Sequence, residues 1–232
     1  TDNSGGDFDI KCPTNNADIR FKGVDGGSTV TALRLDMSAA GAAAFNSYLT
    51  STAVYGKDDG NTGIQFDGSD VITLHTGGAE HMKIDANGHV TMPSQPAFQA
   101  KLAGAQSNLA VNTTITILFA TEIFDQNADF NTSTYTFTAP VTGKYQLNVA
   151  ILTSALDSAA SYYQIQLTTS NTTYYHTLDP DFGQDNVYHQ QNISVLADMD
   201  ASDTAFVRIY QANGSQQTDL DATSTFTGFL AC

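Results

Sequence analysis

Acidic side chains supply most of the chemistry this sequence could perform. Asp179, Asp181 and Asp185 share one loop-like segment, "DPDFGQDN", and Asp198, Asp200 and Asp203 share another. Clustered carboxylate and carbonyl oxygens suit a hard cation, so calcium is the ion that Asp179 and Asp181, or Asp198, Asp200 and Asp203, would hold. Neither segment has the full set of an EF-hand loop, and a solvated acidic loop is the competing reading. Two carboxylates placed across a sugar would make a glycosidase, with Asp181 and Asp200 as the residues to test. The histidines offer a different metal. His75 and His81 would face each other across Gly77-Gly78, and on a threefold axis one His per chain becomes three ligands for a transition metal. Exposed hairpin histidines are the simpler account. Nucleophilic catalysis is not expected, because there is no G-x-S-x-G elbow and no serine is poised beside His176 or His189.

Tyrosine supplies the recognition chemistry. Tyr162, Tyr163, Tyr174, Tyr175 and Tyr188 crowd two segments, and tyrosine suits stacking on sugar rings. Adjacent residues of a strand point to opposite faces, so one of each pair enters the core. Tyr162, Tyr174 and Tyr188, with Asn186 and Gln190, are the candidate receptor contacts.

The elements that must position these residues read as strands. In residues 18–36 Ile19 and Phe21 alternate with polar residues, "DGG" turns the chain, and Val30 and Ala32 resume the pattern. Hairpin turns follow at Asp67-Gly68, Gly77-Gly78 and Asn87-Gly88, where Gly and Asn supply positive φ. One segment, residues 35–49, suits either a short Ala-rich helix capped by Ser38 or a small-residue strand. These early strands carry few large side chains, so residues 1–94 are expected to be an oligomeric stem of β-hairpin repeats whose apolar face is buried against copies of itself. "MPSQPAF", residues 92–98, reads as a linker.

The texture then changes. Residues 95–232 hold most of the aromatics and the long alternating strands, among them 113–124, a buried strand followed by a turn, then 133–140, 143–152, 161–178 with a turn near Ser170-Asn171, 187–199, 204–212 and 223–232. Strands separated by turn signals, without helix, predict an all-β chain whose second part is a β-sandwich.

Composition narrows the partners. Nine Lys and Arg stand against 24 Asp and Glu, a formal charge of −15. That balance excludes a nucleic-acid backbone and disfavours anionic lipid. No apolar run approaches the length of a membrane span. The two cysteines, Cys12 and Cys232, suggest free thiols, with an intermolecular bridge through Cys12 as the alternative. Asn-x-Ser/Thr sequons at Asn112, Asn131, Asn171, Asn192 and Asn213 matter only in a eukaryotic secretory pathway. The sequence opens on Thr1 rather than Met, which fits a processed product or part of a longer chain.

Two resemblances follow from particular residues. Phe137, Gly143, Tyr145 and Leu147 form an F-x5-G-x-Y-x-L pattern. With Phe226, Gly228 and Phe229 of "FTGFL", it resembles the globular head of complement component 1q, the jelly roll shared with tumour necrosis factor. The family's aromatics after the Tyr are here Leu147 and Val149. Segments such as "DIRFKGVDGGSTVTALRLDMSAAGAAAFN" are similar to repeats in bacteriophage tail fibres. Together these imply a homotrimer with an intertwined stem and a distal jelly-roll head. They further imply a virion structural protein that joins other virion proteins at its N-terminal end and attaches to a host-surface glycan or protein. The alternatives are a cell-derived extracellular adhesin or filament subunit with the same head, and a polysaccharide-degrading fibre tip. The expected protein is not an enzyme and carries no cofactor other than calcium.

Overall fold

The computed structural model describes residues 10–68 and 70–232. The chain divides into two compact units, Thr1–His89 and Val90–Cys232. Among the described residues both are built from strands, and no helix is long and apolar enough to cross a membrane.

In the first unit Ile19–Asp25 (β1), Ser28–Asp36 (β2) and Ala42–Phe45 (β3) form an antiparallel sheet in the order β1-β2-β3. Gly26 and Gly27, both at positive φ, make the first turn, as the "DGG" signal predicts. The ambiguous Ala-rich segment resolves into β3 after a single 3-10 turn, Met37–Ala39. The cap is Asp36 rather than Ser38: its carboxylate accepts from the backbone amides of Ser38 and Ala39. A second sheet contains Ala53–Gly56 (β4), Asp59–Asp67 (β5), Val71–Thr76 (β6), Ala79–Ile84 (β7) and Val90–Thr91 (β8), in that order.

The second unit is a sandwich. Its strands are Ala97–Lys101 (β9), Thr114–Thr116 (β10), Thr121–Asp125 (β11), Phe130–Asn131 (β12), Thr136–Thr138 (β13), Gly143–Leu156 (β14), Tyr162–Thr169 (β15), Thr173–Leu178 (β16), Asn186–Met199 (β17), Thr204–Ala212 (β18), Asp219–Leu220 (β19) and Thr225–Leu230 (β20). One sheet runs β12-β13-β18-β15-β16, with β10 on β18; the other runs β11-β9-β20-β14-β17, with β19 on β14. Sequence-distant strands thus lie side by side, as in a jelly roll.

Alternation explains the core. Tyr145, Leu147, Val149 and Ile151 of β14 point inward, as do Tyr163, Ile165 and Leu167 of β15, Val207 and Ile209 of β18, and Phe226 of β20. Phe98 stacks on Phe130 and Phe137, with centroids 5.0 and 4.8 Å away, and meets Phe226 edge-on at 5.0 Å. Ala97 and Phe98, placed in a linker by the sequence, are the start of β9, and Phe98 is in the core. The stretch 113–124, expected as a buried strand followed by a turn, holds Thr114–Thr116 and the start of a second strand, Thr121–Asp125, on opposite sheets. Between them Ile117 and Phe119 are buried, so the chain changes sheets there instead of continuing straight.

Candidate recognition site

At one end of the sandwich, three loops are bolted together by two aspartates. Asp157, almost fully buried, accepts from the backbone amides of Ala159 (2.8 Å) and Ser215. Its own amide donates to the Tyr163 hydroxyl at 3.0 Å, which in turn bonds the Thr218 hydroxyl at 2.7 Å. Burial raises the pKa of that tyrosine above its ordinary value. Asp185 accepts from the amide and hydroxyl of Ser158, both at 2.9 Å, and from the Gln217 side-chain amide at 2.8 Å. The Ser158 amide, then Gln217, then the Ser158 hydroxyl hold its carboxyl below the usual aspartate value.

On this frame lies a cleft of about 340 Å³ lined by Ser154, Ala155, Asn186, Val187, Tyr188 and the Asp185–Gln217 pair. Tyr188 is 62% exposed. It stands opposite Ser154 where β17 pairs with β14. An exposed ring beside a carboxamide can stack on the apolar face of a sugar and hydrogen-bond its hydroxyls. Asp185 is committed to Ser158 and Gln217, so it shapes the cleft rather than serving as a free base.

The candidate receptor contacts separate. Asn186, Tyr188 and Gln190 share one face of β17, with Gln190 opposite Leu152. Tyr162 is on the other sheet, its ring 5.8 Å from Tyr210. Tyr174 is a correction: it packs against the core, and its neighbour Tyr175 is the exposed one. Alternation predicts that one of the pair turns inward but not which; the register Gln166↔Tyr175 and Leu167↔Tyr174 decides it. Gln217 and Val187 escaped the sequence reading, and Gln217 reaches the cleft from a loop that no local pattern connects to β17.

The proposed metal clusters do not assemble. Among the described residues no three His, Cys, Asp or Glu side chains come together to hold an ion. Asp203 accepts from the Asp200 amide and the Asn171 side chain, both at 2.9 Å; Asp198 pairs with Lys144; Asp200 accepts from Thr142. Asp179 accepts from the amide of Asp181. The carboxylates of Asp179, Asp198, Asp200 and Asp203 are turned toward local donors instead of a common centre. His75 faces Glu80, not His81, because a bulge between Leu74 and His75 leaves His81 without a register partner. Cys12 and Cys232 form no disulfide with each other within the chain.

Except for Phe229, the named residues of the F-x5-G-x-Y-x-L and "FTGFL" patterns serve packing. Phe137, Tyr145, Leu147 and Phe226 are fully buried, and the Tyr145 hydroxyl donates to the Val141 carbonyl at 2.7 Å. Gly143 sits against Leu230 and the Cys232 carbonyl, and Gly228 against Leu147 and Phe98, too close for a Cβ in either case. Phe229 lies on the opposite, outward face, in one cross-strand row with Gln146 and Leu196. A family model described as the C1q domain matches residues 97–231, more than half of the chain. The chain belongs to the C1q domain family. Among solved structures, this C1q-domain chain is similar to the globular domain of zebrafish complement 1qA protein (17% identity, 60% of this chain and 98% of that one, TM-score 0.44). It is also similar to murine APRIL (12% identity, 59% and 98%, TM-score 0.42). No curated protein matches it.

Proposed function

We propose that this chain is a non-catalytic, trimeric fibre protein of a phage-like particle, with an N-terminal stem and a C1q-type head that attaches to a host-surface glycan. The observation that carries the attachment is the cleft at the end of the sandwich, where Tyr188 stands exposed beside Asn186 on a frame fixed by Asp157 and Asp185. A rigid frame lowers the ordering cost of binding, and a ring with nearby amides matches a sugar's two kinds of surface.

The threefold state is what the resemblance to the complement component 1q head implies. It is supported by the outward row Phe229–Gln146–Leu196, which exposes two large apolar side chains on one sheet face. Three such clefts on one head would gain avidity through effective concentration, so each site could be weak.

The test is binding of the full chain to an array of bacterial surface glycans, with Tyr188→Ala beside it. Glycan binding that Tyr188→Ala weakens several-fold, with the fold unchanged, supports the reading. Binding indifferent to Tyr188 would overturn the site. Copurification with capsid and tail proteins separates a virion fibre from a cell-derived adhesin, and reducing sugar released from a host polymer would indicate a degrading tip instead.

A further inference from the structure

The first unit has almost no interior of its own. Among its described residues only Thr73 is fully buried, and Thr73 is polar. The strand register explains why. Val54, Ile64, Leu74 and Met82 align across β4 to β7, and Phe66, Ile72 and Ile84 align in the neighbouring row. These seven apolar side chains share one face of the sheet, and none of these paired positions carries a charge. The opposite face is polar and bonded within itself: Gln65 donates to Tyr55 at 2.7 Å, Thr73 to Asp67 at 2.9 Å, and His75 bonds Thr73 at 3.0 Å. The three-stranded sheet repeats the design. Ile19, Phe21, Leu33, Leu35 and Phe45 align on one face, while Arg20 and Arg34 on the other pair with Asp18, and Arg34 also with Asp36.

A sheet with one bare apolar face is not a stable layer, since a sheet must bury that face against another element. Val54, Ile64, Phe66, Ile72 and Leu74 are each between 36% and 48% exposed. Together they leave on the order of 400 Å² of apolar surface open, as large as the largest patch of a typical monomer and about half of what a stable interface takes from each partner. Phe21 and Phe45 leave more on the other sheet.

We propose that these two faces are the contact between copies of this chain, and that the first unit folds only as the copies assemble. The proposal deepens the stem of the fibre reading and rests on it. The cover must be present whenever the chain folds, and the face has no charge to select a partner of other chemistry. A second copy of the chain meets both conditions.

The experiment uses the full chain. Ile64→Ser with Leu74→Ser replaces side chains that would be harmless to change if they faced solvent. The expected result is rapid proteolysis within residues 10–89 while 97–231 stays resistant, with Gln65→Ser on the polar face leaving both intact. Resistance of 10–89 that falls on dilution of the unmodified chain is also expected, by mass action. A positive readout comes from Leu74→Cys in a Cys12→Ser, Cys232→Ser background, which should cross-link chain to chain on oxidation where Gln65→Cys does not. A monomer by light scattering whose residues 10–89 resist protease, or a double Ser variant as resistant as the original, would overturn the proposal. Failure of glycan binding would leave these outcomes unchanged, so the stem and the attachment site fall separately.

Discussion

Gly228 of β20 faces Leu147 of β14 so closely that a Cβ on the glycine would stand 2.6 Å from Leu147 Cδ2 and 2.7 Å from a ring carbon of Phe98. Leu147 is wholly buried and Phe98 is pinned by three aromatic neighbours, so neither has room to yield. Gly228→Ala should therefore destabilise the head by about 1–3 kcal/mol, the usual cost of overpacking. Urea unfolding checks this, with Thr227→Ala on the outward face as the mild comparison.

That glycine also marks what the sequence could reveal. The alternation of "GKYQLNVAIL" specifies both that β14 is a strand and which of its residues enter the core, because side-chain period and burial coincide there. The Gly-Gly and Asn-Gly turns were legible for the same local reason. Long-range closeness was not. Gln217 bonding Asp185, and the Ile117–Phe119 crossing between sheets, are products of topology that no window of neighbouring residues contains. The acidic segments suggest a shared ion because spacing alone does not say which way a carboxylate turns. Asp203 turns to a backbone amide and to Asn171.

That orientation makes a prediction about calcium. The head's thermal midpoint should be the same in EDTA as in millimolar calcium, while Asp203→Ala should lower the unfolding free energy by about 1–3 kcal/mol, and the midpoint with it, in either, through the donors it leaves unpaired. The exposed Lys144–Asp198 pair should matter little, and Lys144→Met should change stability by less than about 1 kcal/mol. A midpoint that rises with calcium and loses that rise in Asp203→Ala would restore the metal site.

Two aspartates should respond oppositely to pH. Asp185 has a folded pKa below its ordinary value of 3.8, so its stabilisation is present above 3.8 and is lost as pH falls through the folded value. Asp129 is raised, by burial first and then by the charge of Asp125 against the lowering hydrogen bond from Asn127. Its favourable, protonated form prevails below 3.8, and its contribution is lost as pH rises through the folded value. Asp185→Asn should thus lower the midpoint at pH 7 and Asp129→Asn should raise it, both effects shrinking in acid. Midpoints measured across the acid range give the check.

The Tyr145 hydroxyl is buried and gives its hydrogen to Val141. Tyr145→Phe keeps the ring in its place against Phe137, 5.4 Å away, and removes only the donor. The expected loss is about 1 kcal/mol, most of it from the carbonyl left without a partner. A loss above about 3 kcal/mol would mean that the ring itself had moved.

Gln191 presents the reverse case. It lies on the inward face of β17 opposite Ile151, wholly buried, and among the described residues neither its amide nitrogen nor its oxygen has a hydrogen-bond partner. Two unpaired polar atoms in a sandwich core cost stability that a side chain of the same length without them would not. Gln191→Met preserves length and flexibility and should raise the stability of the head by about 1–3 kcal/mol. Gln191→Ala should not, because the cavity it opens offsets the gain. Unfolding midpoints of the two variants separate the terms. A fall with Met would show that the amide is paired in solution, through an internal water or a neighbour that shifts to meet it.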